Sequence, residues 1–237
     1  MISKKVRDIV ESPSNGVIRK MFEEGALLRK KYGADKVYDF SIGNPDLDPP
    51  QKVVDAVKEI AADNSHLRHG YMPNPGYPET RAAMAKKTGI EQGMEIDFSN
   101  VVMAVGAAGA INATLKALLN DGDQLIVPCP YFAEYGHYVH NHNGEIVGVK
   151  TKDDFSLDTD VIRDALNEKT AAILLNSPNN PTGRIYSDED IDNLVKVLKD
   201  HGKKTCRYPY IILDEPYRAI TYDGKKVAPV FPKYEYS

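Results

Sequence analysis

From Val101 onward, short apolar runs rich in β-branched residues alternate with longer amphipathic stretches. That alternation restricts the chain to helices laid over a mostly parallel sheet. Parallel neighbours cannot be joined by a tight hairpin, so each pair needs a crossover long enough to hold a helix. The pattern predicts strands at 101–105, 124–127, 145–149, 171–175 and 210–213, with helices at 108–119, 132–140, 159–167 and 188–200. Ser187, followed by Asp188, Glu189 and Asp190, supplies an N-terminal cap and first-turn acids that complement the helix dipole. The predicted class is α/β, a mostly parallel sheet flanked by helices.

The first hundred residues follow another pattern. They predict helices at 16–31, 51–62 and 77–89 around a Pro-rich loop, without alternating strands. With 237 residues, 42% of them hydrophobic, the chain can bury a substantial core. A formal net charge of -4 lacks the basic surface that nucleic acid demands. The longest apolar stretch, 101–111, carries two glycines and falls well short of the roughly 18 residues of a membrane span. No secretory leader is expected, because Lys4, Lys5, Arg7 and Asp8 break any early apolar run. Two cysteines, Cys129 and Cys206, offer neither a disulfide framework nor metal-type spacing, which fits a reducing cytoplasm. His137 and His140, three residues apart, share a face of the predicted helix and His142 follows it, but no Cys or carboxylate nearby completes a metal site, so no metal is expected.

Several segments carry chemistry-bearing residues where such a sheet would present them. Asp214 closes the apolar run Tyr210-Ile211-Ile212-Leu213, and ligands of open parallel sheets gather at the carboxyl ends of strands. Alone, an aspartate there reads as a turn cap. Upstream, Asn176-Ser177-Pro178-Asn179-Asn180-Pro181-Thr182-Gly183 has the composition of a turn between two elements. Gly106-Ala107-Ala108-Gly109 separates a predicted strand from a helix, where small residues either let helix and sheet pack closely or open backbone N–H groups to an anion. Pro130-Tyr131-Phe132 places two rings after another strand, which as a general matter fill a core. Gly70-Tyr71-Met72-Pro73 and Ser41-Ile42-Gly43-Asn44-Pro45-Asp46 are punctuated as surface loops.

Together these segments resemble the fold type I pyridoxal-phosphate enzymes, above all the class I and II aminotransferases, from about Ile18 to the last residue. The resemblance implies that residues 1–48 form an N-terminal arm and part of a small domain, and 49–237 a large cofactor-binding domain. It implies that Asp214 sits beside the pyridine nitrogen of pyridoxal phosphate and raises its pKa, as a neighbouring carboxylate does for a cation. Asn180 and Tyr217 then donate to the cofactor's phenolic oxygen, Phe132 stacks on its ring (with Tyr131 the second choice), and Gly106, Ala107 and Ala108 receive its phosphate. Tyr71 reaches the phosphate of a neighbouring subunit in a homodimer. Gly43, with Asn180, meets the substrate.

The same resemblance implies an aminotransferase that moves an amino group between an amino acid and a 2-oxo acid. A carbon–sulfur lyase or another pyridoxal-phosphate enzyme uses the same scaffold, and a non-catalytic piece of such a protein is the third reading. In the family the lysine that bonds the cofactor lies in a Ser-rich segment well downstream of the strand-end aspartate. Lys225, Lys226 and Lys233 come too soon and lack that setting, so no catalytic residue is assigned and the chain is expected to be a fragment of a longer protein.

Overall fold

In a computed structural model, residues 2–11, 17–38, 40, 43 and 47–237 are described. They divide into two compact units, 1–70 and 71–237.

The first unit is helical: α1 (Lys4–Glu11), α2 (Val17–Tyr32), a 3-10 turn (Ala34–Lys36) and α3 (Gln51–Ala62). Pro50 precedes α3, and Gln51 donates to Asp55 one turn on at 2.7 Å. Leu27, Val53, Val57 and Ile60 are all at least half exposed. The expected helices at 16–31 and 51–62 recur here within a residue or so, Gly16 lying outside the described residues, whereas α1 was not foreseen.

The second unit begins with α4 (Pro78–Gln92), a 3-10 turn (Phe98–Asn100) and α5 (Gly106–Leu118). Then strand and helix alternate: β1 (Gln124–Cys129), α6 (Glu134–Asn141), β2 (Glu145–Lys150), α7 (Thr159–Ala165), β3 (Thr170–Asn176), α8 (Asp188–Thr205) and β4 (Tyr210–Asp214). The strands form one parallel sheet in the order β2-β1-β3-β4. Successive strand residues face opposite sides, so each strand feeds two cores. Leu125, Val127, Ala172 and Leu174 pack with Ile111, Leu115, Tyr135 and Val139 of α5 and α6. Ile126, Ile173 and Leu175 pack on the other side with Ile162, Ile191, Leu194 and Leu198 of α7 and α8. All of β3 is buried, as expected of a strand covered on both faces.

One expected strand is absent. Residues 101–105 form no ladder; Met103 N–H donates to Pro75 C=O, and the Arg81 guanidinium donates to Val101 C=O. Val102 and Val105 are largely exposed. A β-rich sequence becomes a strand only where another strand lies beside it, and none of the described strands does.

The amino ends of the strands are held by an ion pair. The Asp123 carboxylate, 7% exposed as a residue, accepts from Asn120 N–H at 3.0 Å and from the Arg207 guanidinium at 2.8 Å. Arg207 also donates to Glu168 C=O, so residues entering β1, β3 and β4 converge there. Burial alone pushes the Asp123 carboxyl up, but the Arg207 and Asn120 donors outweigh it and hold it below the usual carboxylate range. Its stabilising contribution is therefore present above the unfolded value of about 4 and lost as pH falls through the lower folded value. Asp123→Ala is expected to lower unfolding free energy by about 3 kcal/mol at pH 7, near the low end for breaking a buried pair because Arg207 is partly exposed. In urea titrations the gap between the two proteins is expected to narrow as pH falls below about 4.

Candidate active site

A cavity of about 230 Å³ opens at the carboxyl ends of β3 and β4. The ends of β3 and β4 with the turns after them build one part of it, and α5, α6 and the turn before α6 the other. The register of the β3–β4 ladder sets Asn176 opposite Asp214 at the last rung, and both line the cavity. Asn176, 4% exposed, donates its amide to Asp214 C=O at 2.8 Å and accepts Asn180 N–H on its own side-chain oxygen at 2.5 Å. One buried amide thus fixes the end of β4 and the turn after β3.

That turn is closed locally. Asn179 accepts from Thr182 N–H and the Thr182 hydroxyl, and its backbone pairs with Arg184 and Gly183. Gly183 has φ 69, a left-handed conformation that costs glycine little. Asn180, half-buried, lines the cavity. After β4, Pro216 and Tyr217 line the same space, Tyr217 being 37% exposed.

The opposite wall comes from α5 and α6. Ala107, Ala108 and Ile111 line it from the first turns of α5. Gly106 opens that helix at φ 70, and Val105 before it offers no side-chain cap, so the first-turn N–H groups have no capping side chain. From the turn into α6 comes Phe132, and from α6 itself come Tyr135 and Tyr138. Phe132 meets Tyr135 edge-on with ring centres 5.6 Å apart, while Tyr131 stacks on Tyr135 at 6.4 Å without lining the cavity.

The Tyr135 hydroxyl donates to Asp214 Oδ2 at 2.5 Å. Burial and the adjacent carboxylate push that phenol up well beyond its ordinary range, so it stays a donor at neutral pH. One oxygen of Asp214 is thereby engaged within the protein. Burial likewise pushes Tyr138 up, with Glu134 and Asp214 adding to it.

Of the residues singled out in the sequence, Ala107, Ala108, Phe132, Asn180, Asp214 and Tyr217 line this one cavity, with Gly106 at its edge in sequence. Tyr71 is fully exposed and does not line it. Gly43 belongs to the other unit; it is exposed, with open space around it, and Ser41, Ile42, Asn44, Pro45 and Asp46 lie outside the described residues. Among the described residues, no group of three or more His, Cys, Asp or Glu could hold a metal ion. Asn176 and Tyr135 were not foreseen. The position of Asn176 at the end of a buried strand was a legible signal; the pairing of Tyr135 with Asp214, 79 residues apart, was not.

A four-stranded parallel sheet with a cavity at its strand ends, lined by a carboxylate, amides, phenols and a bare helix start, has the layout in which ligands of open α/β sheets gather. The family model for aminotransferase class I and II matches residues 35–234, and the chain belongs to that family. It is 32% identical to the aspartate/prephenate aminotransferase of Thermus thermophilus over 86% of this chain and 51% of that protein. It is 30% identical to a probable aspartate aminotransferase of Methanocaldococcus jannaschii, over 81% of this chain and 49% of that protein. Among solved structures, an amino transferase from Eubacterium rectale aligns with a TM-score of 0.93 and 36% identity, covering 100% of this chain and 60% of that one. The Thermus thermophilus aspartate aminotransferase with maleate aligns at 0.82 and 30%, over 97% and 56%. The chain spans about half the length of the curated relatives it matches.

Tyr135→Phe keeps the ring and deletes the donor to Asp214. The expected cost is about 1.5–3 kcal/mol, the range for a hydrogen bond to a charged group, read by denaturant unfolding at pH 7. No loss would show that the hydroxyl contact contributes nothing.

Proposed function

We propose that this chain carries the cofactor seat of a pyridoxal-phosphate-dependent aminotransferase acting on an amino acid and a 2-oxo acid. The carrying observation is the convergence of Asp214, Asn180, Tyr217, Phe132 and the first turn of α5 on one cavity.

The residues fit the group. At about 230 Å³ the cavity lies below the roughly 300 Å³ of ordinary ligand pockets, a size suited to a single planar ring. Its polar groups are segregated: a carboxylate at one strand end, neutral donors on the neighbouring turns, and exposed backbone N–H groups at the helix start. That donor set matches a pyridine nitrogen, a phenolate and a phosphate in turn. When bound, pyridoxal phosphate supplies an electron sink for bonds to the amino acid's α-carbon.

The protein's own side chains then have defined tasks. Asp214 holds a proton on the ring nitrogen by Coulombic attraction, and Tyr135 and Asn176 hold Asp214 in place. Asn180 and Tyr217 donate to the phenolate side without altering net charge. Phe132, which lines the cavity, would cover one face of the ring and exclude water from it. Gly106, Ala107 and Ala108 offer backbone donors and no hydroxyl, so the phosphate depends on main-chain N–H groups at this end. Among the described residues, no lysine lines the cavity.

The proposal extends to a homodimer working in the cytoplasm. Tyr71, fully exposed beside Pro73 and Pro75, is available to a neighbouring subunit's phosphate, and Gly43 to the substrate. Among the described residues no helix is long and apolar enough to cross a membrane. Aspartate is the first donor to try, because several similar relatives bear that name.

With the natural full-length protein, aspartate and 2-oxoglutarate are expected to give glutamate in proportion to protein. Ammonia and pyruvate from a sulfur amino acid, without glutamate, would instead mark a lyase. Asp214→Asn is expected to lower kcat by about a hundredfold or more, as for removal of a preorganised charge at a reacting centre. Unchanged turnover in that variant contradicts the proposed role.

A further inference from the structure

Asp214 ends β4 and Tyr217 stands on the short turn that follows, and among the described strands β4 has a ladder partner only on its β3 side. At the last rung the β3 side contributes the amide of Asn176, which donates to Asp214 C=O. The turn carries its own backbone bonds, Arg218 N–H to Glu215 C=O at 3.2 Å and Ile220 N–H to Tyr217 C=O at 2.8 Å. These shape it but do not locate it.

Arg218 locates it. Its side chain is 12% exposed, and its guanidinium pairs with the Glu215 carboxylate, itself 19% exposed. A second nitrogen donates to Glu91 C=O at 2.7 Å and to Val227 C=O at 3.3 Å. Glu91 belongs to the last turn of α4, where orphan carbonyls carry partial negative charge and favour a cation. The same helix end holds the following segment, because Gln92, 1% exposed, accepts from Val230 and Phe231 N–H at 2.8 and 3.2 Å. One planar fork therefore joins the turn, the α4 terminus and the 227–231 segment. Lysine cannot reproduce that, because its three donors share one nitrogen and do not form a planar fork.

We propose that Arg218 is a positioning residue: by tying Glu215 to the end of α4 it fixes the turn that follows Asp214 and bears Tyr217, and so sets where the cavity's carboxylate and phenol meet the ring. This rests on the pyridoxal-phosphate reading above. Burying an ion pair costs desolvation that an apolar pair avoids, so stability alone is a poor reason for this arrangement. The desolvation is visible at Glu215, whose carboxyl burial pushes up, with Arg218 pulling the other way. The pair's return is geometric.

The test compares the natural full-length protein with Arg218→Met and Glu215→Gln, using added pyridoxal phosphate as the probe. A remote control is Lys233→Met, which breaks a separate clasp of Lys233 to Asp188 and Asp192 on α8, both at 2.8 Å. Equilibrium dialysis and the visible absorption of bound cofactor across pH are read alongside thermal unfolding. Arg218→Met is expected to bind at least about tenfold more weakly, near 1.4 kcal/mol, and to displace the pH midpoint of the absorption band. Lys233→Met is expected to unfold more readily while keeping both. If Arg218→Met retains affinity and midpoint, the positioning role is overturned. If it does not fold, Glu215→Gln carries the test, with unchanged affinity and midpoint again overturning it. If the unaltered protein binds no pyridoxal phosphate, the functional reading falls first, and this inference with it.

Discussion

A single buried amide holds the site together. Asn176 occupies the last rung between β3 and β4, and its two functional ends serve different partners: the nitrogen grips Asp214 C=O, the oxygen receives Asn180 N–H. At 4% exposure it has little water to fall back on, so breaking either bond leaves a costly unpaired group. The two turns that carry Asn180 and Tyr217 are thereby registered against each other through the sheet itself. That registration depends in turn on β3, the strand buried over its whole length between two cores. Functional precision at the strand ends is inherited from packing in the middle.

The Asp214 carboxylate shows how the parts interlock. Its backbone is set by β3, its Oδ2 by Tyr135 of α6, and the turn that follows it by Arg218 on the end of α4. Each support comes from a different element, so no one hinge moves the carboxylate alone. Such redundancy is what a charge needs if it must act at a fixed distance in a site of low polarity. It also explains the partition of the aromatic rings: Tyr135 is buried at 1% and serves the carboxylate, whereas Phe132 stands in front of it with its ring to the cavity.

Much of the architecture could be read in advance from local pattern. The runs at 124–127, 145–149, 171–175 and 210–213 became β1 to β4, because their neighbours are one another. The cap at Ser187 formed as its residue types dictate, Ser187 and Asp190 exchanging bonds at the start of α8. The run at 101–105 looked no different locally, yet it is no strand, since pairing is a property of two segments and composition describes one. The same limit applies to the site. Asp214, Asn180 and Tyr217 were visible through a resemblance concentrated in short motifs, but Tyr135 acquires its meaning from a partner 79 residues away. Arg218 was invisible for a like reason: its partners come from α4 and from the segment beyond the turn. Tyr71 and Gly43 belong to a third category, because no contact recorded for them bears on the cavity.

The placement of the tyrosines has an optical corollary. The sequence contains 14 tyrosines and no tryptophan, so its near-ultraviolet signals belong chiefly to phenol rings. Tyr131 and Tyr138 flank Tyr135 beside the cavity, while Tyr208, Tyr210 and Tyr234 crowd around Tyr236 at the far end of β4, with ring centres 5.0 to 5.8 Å apart. Rings held at fixed mutual angles couple their transitions, which makes each cluster a chiral chromophore. The molecule therefore carries a spectroscopic label at both ends of its last strand, and the dichroism of these side chains reports on the tightness of the sheet without any added dye.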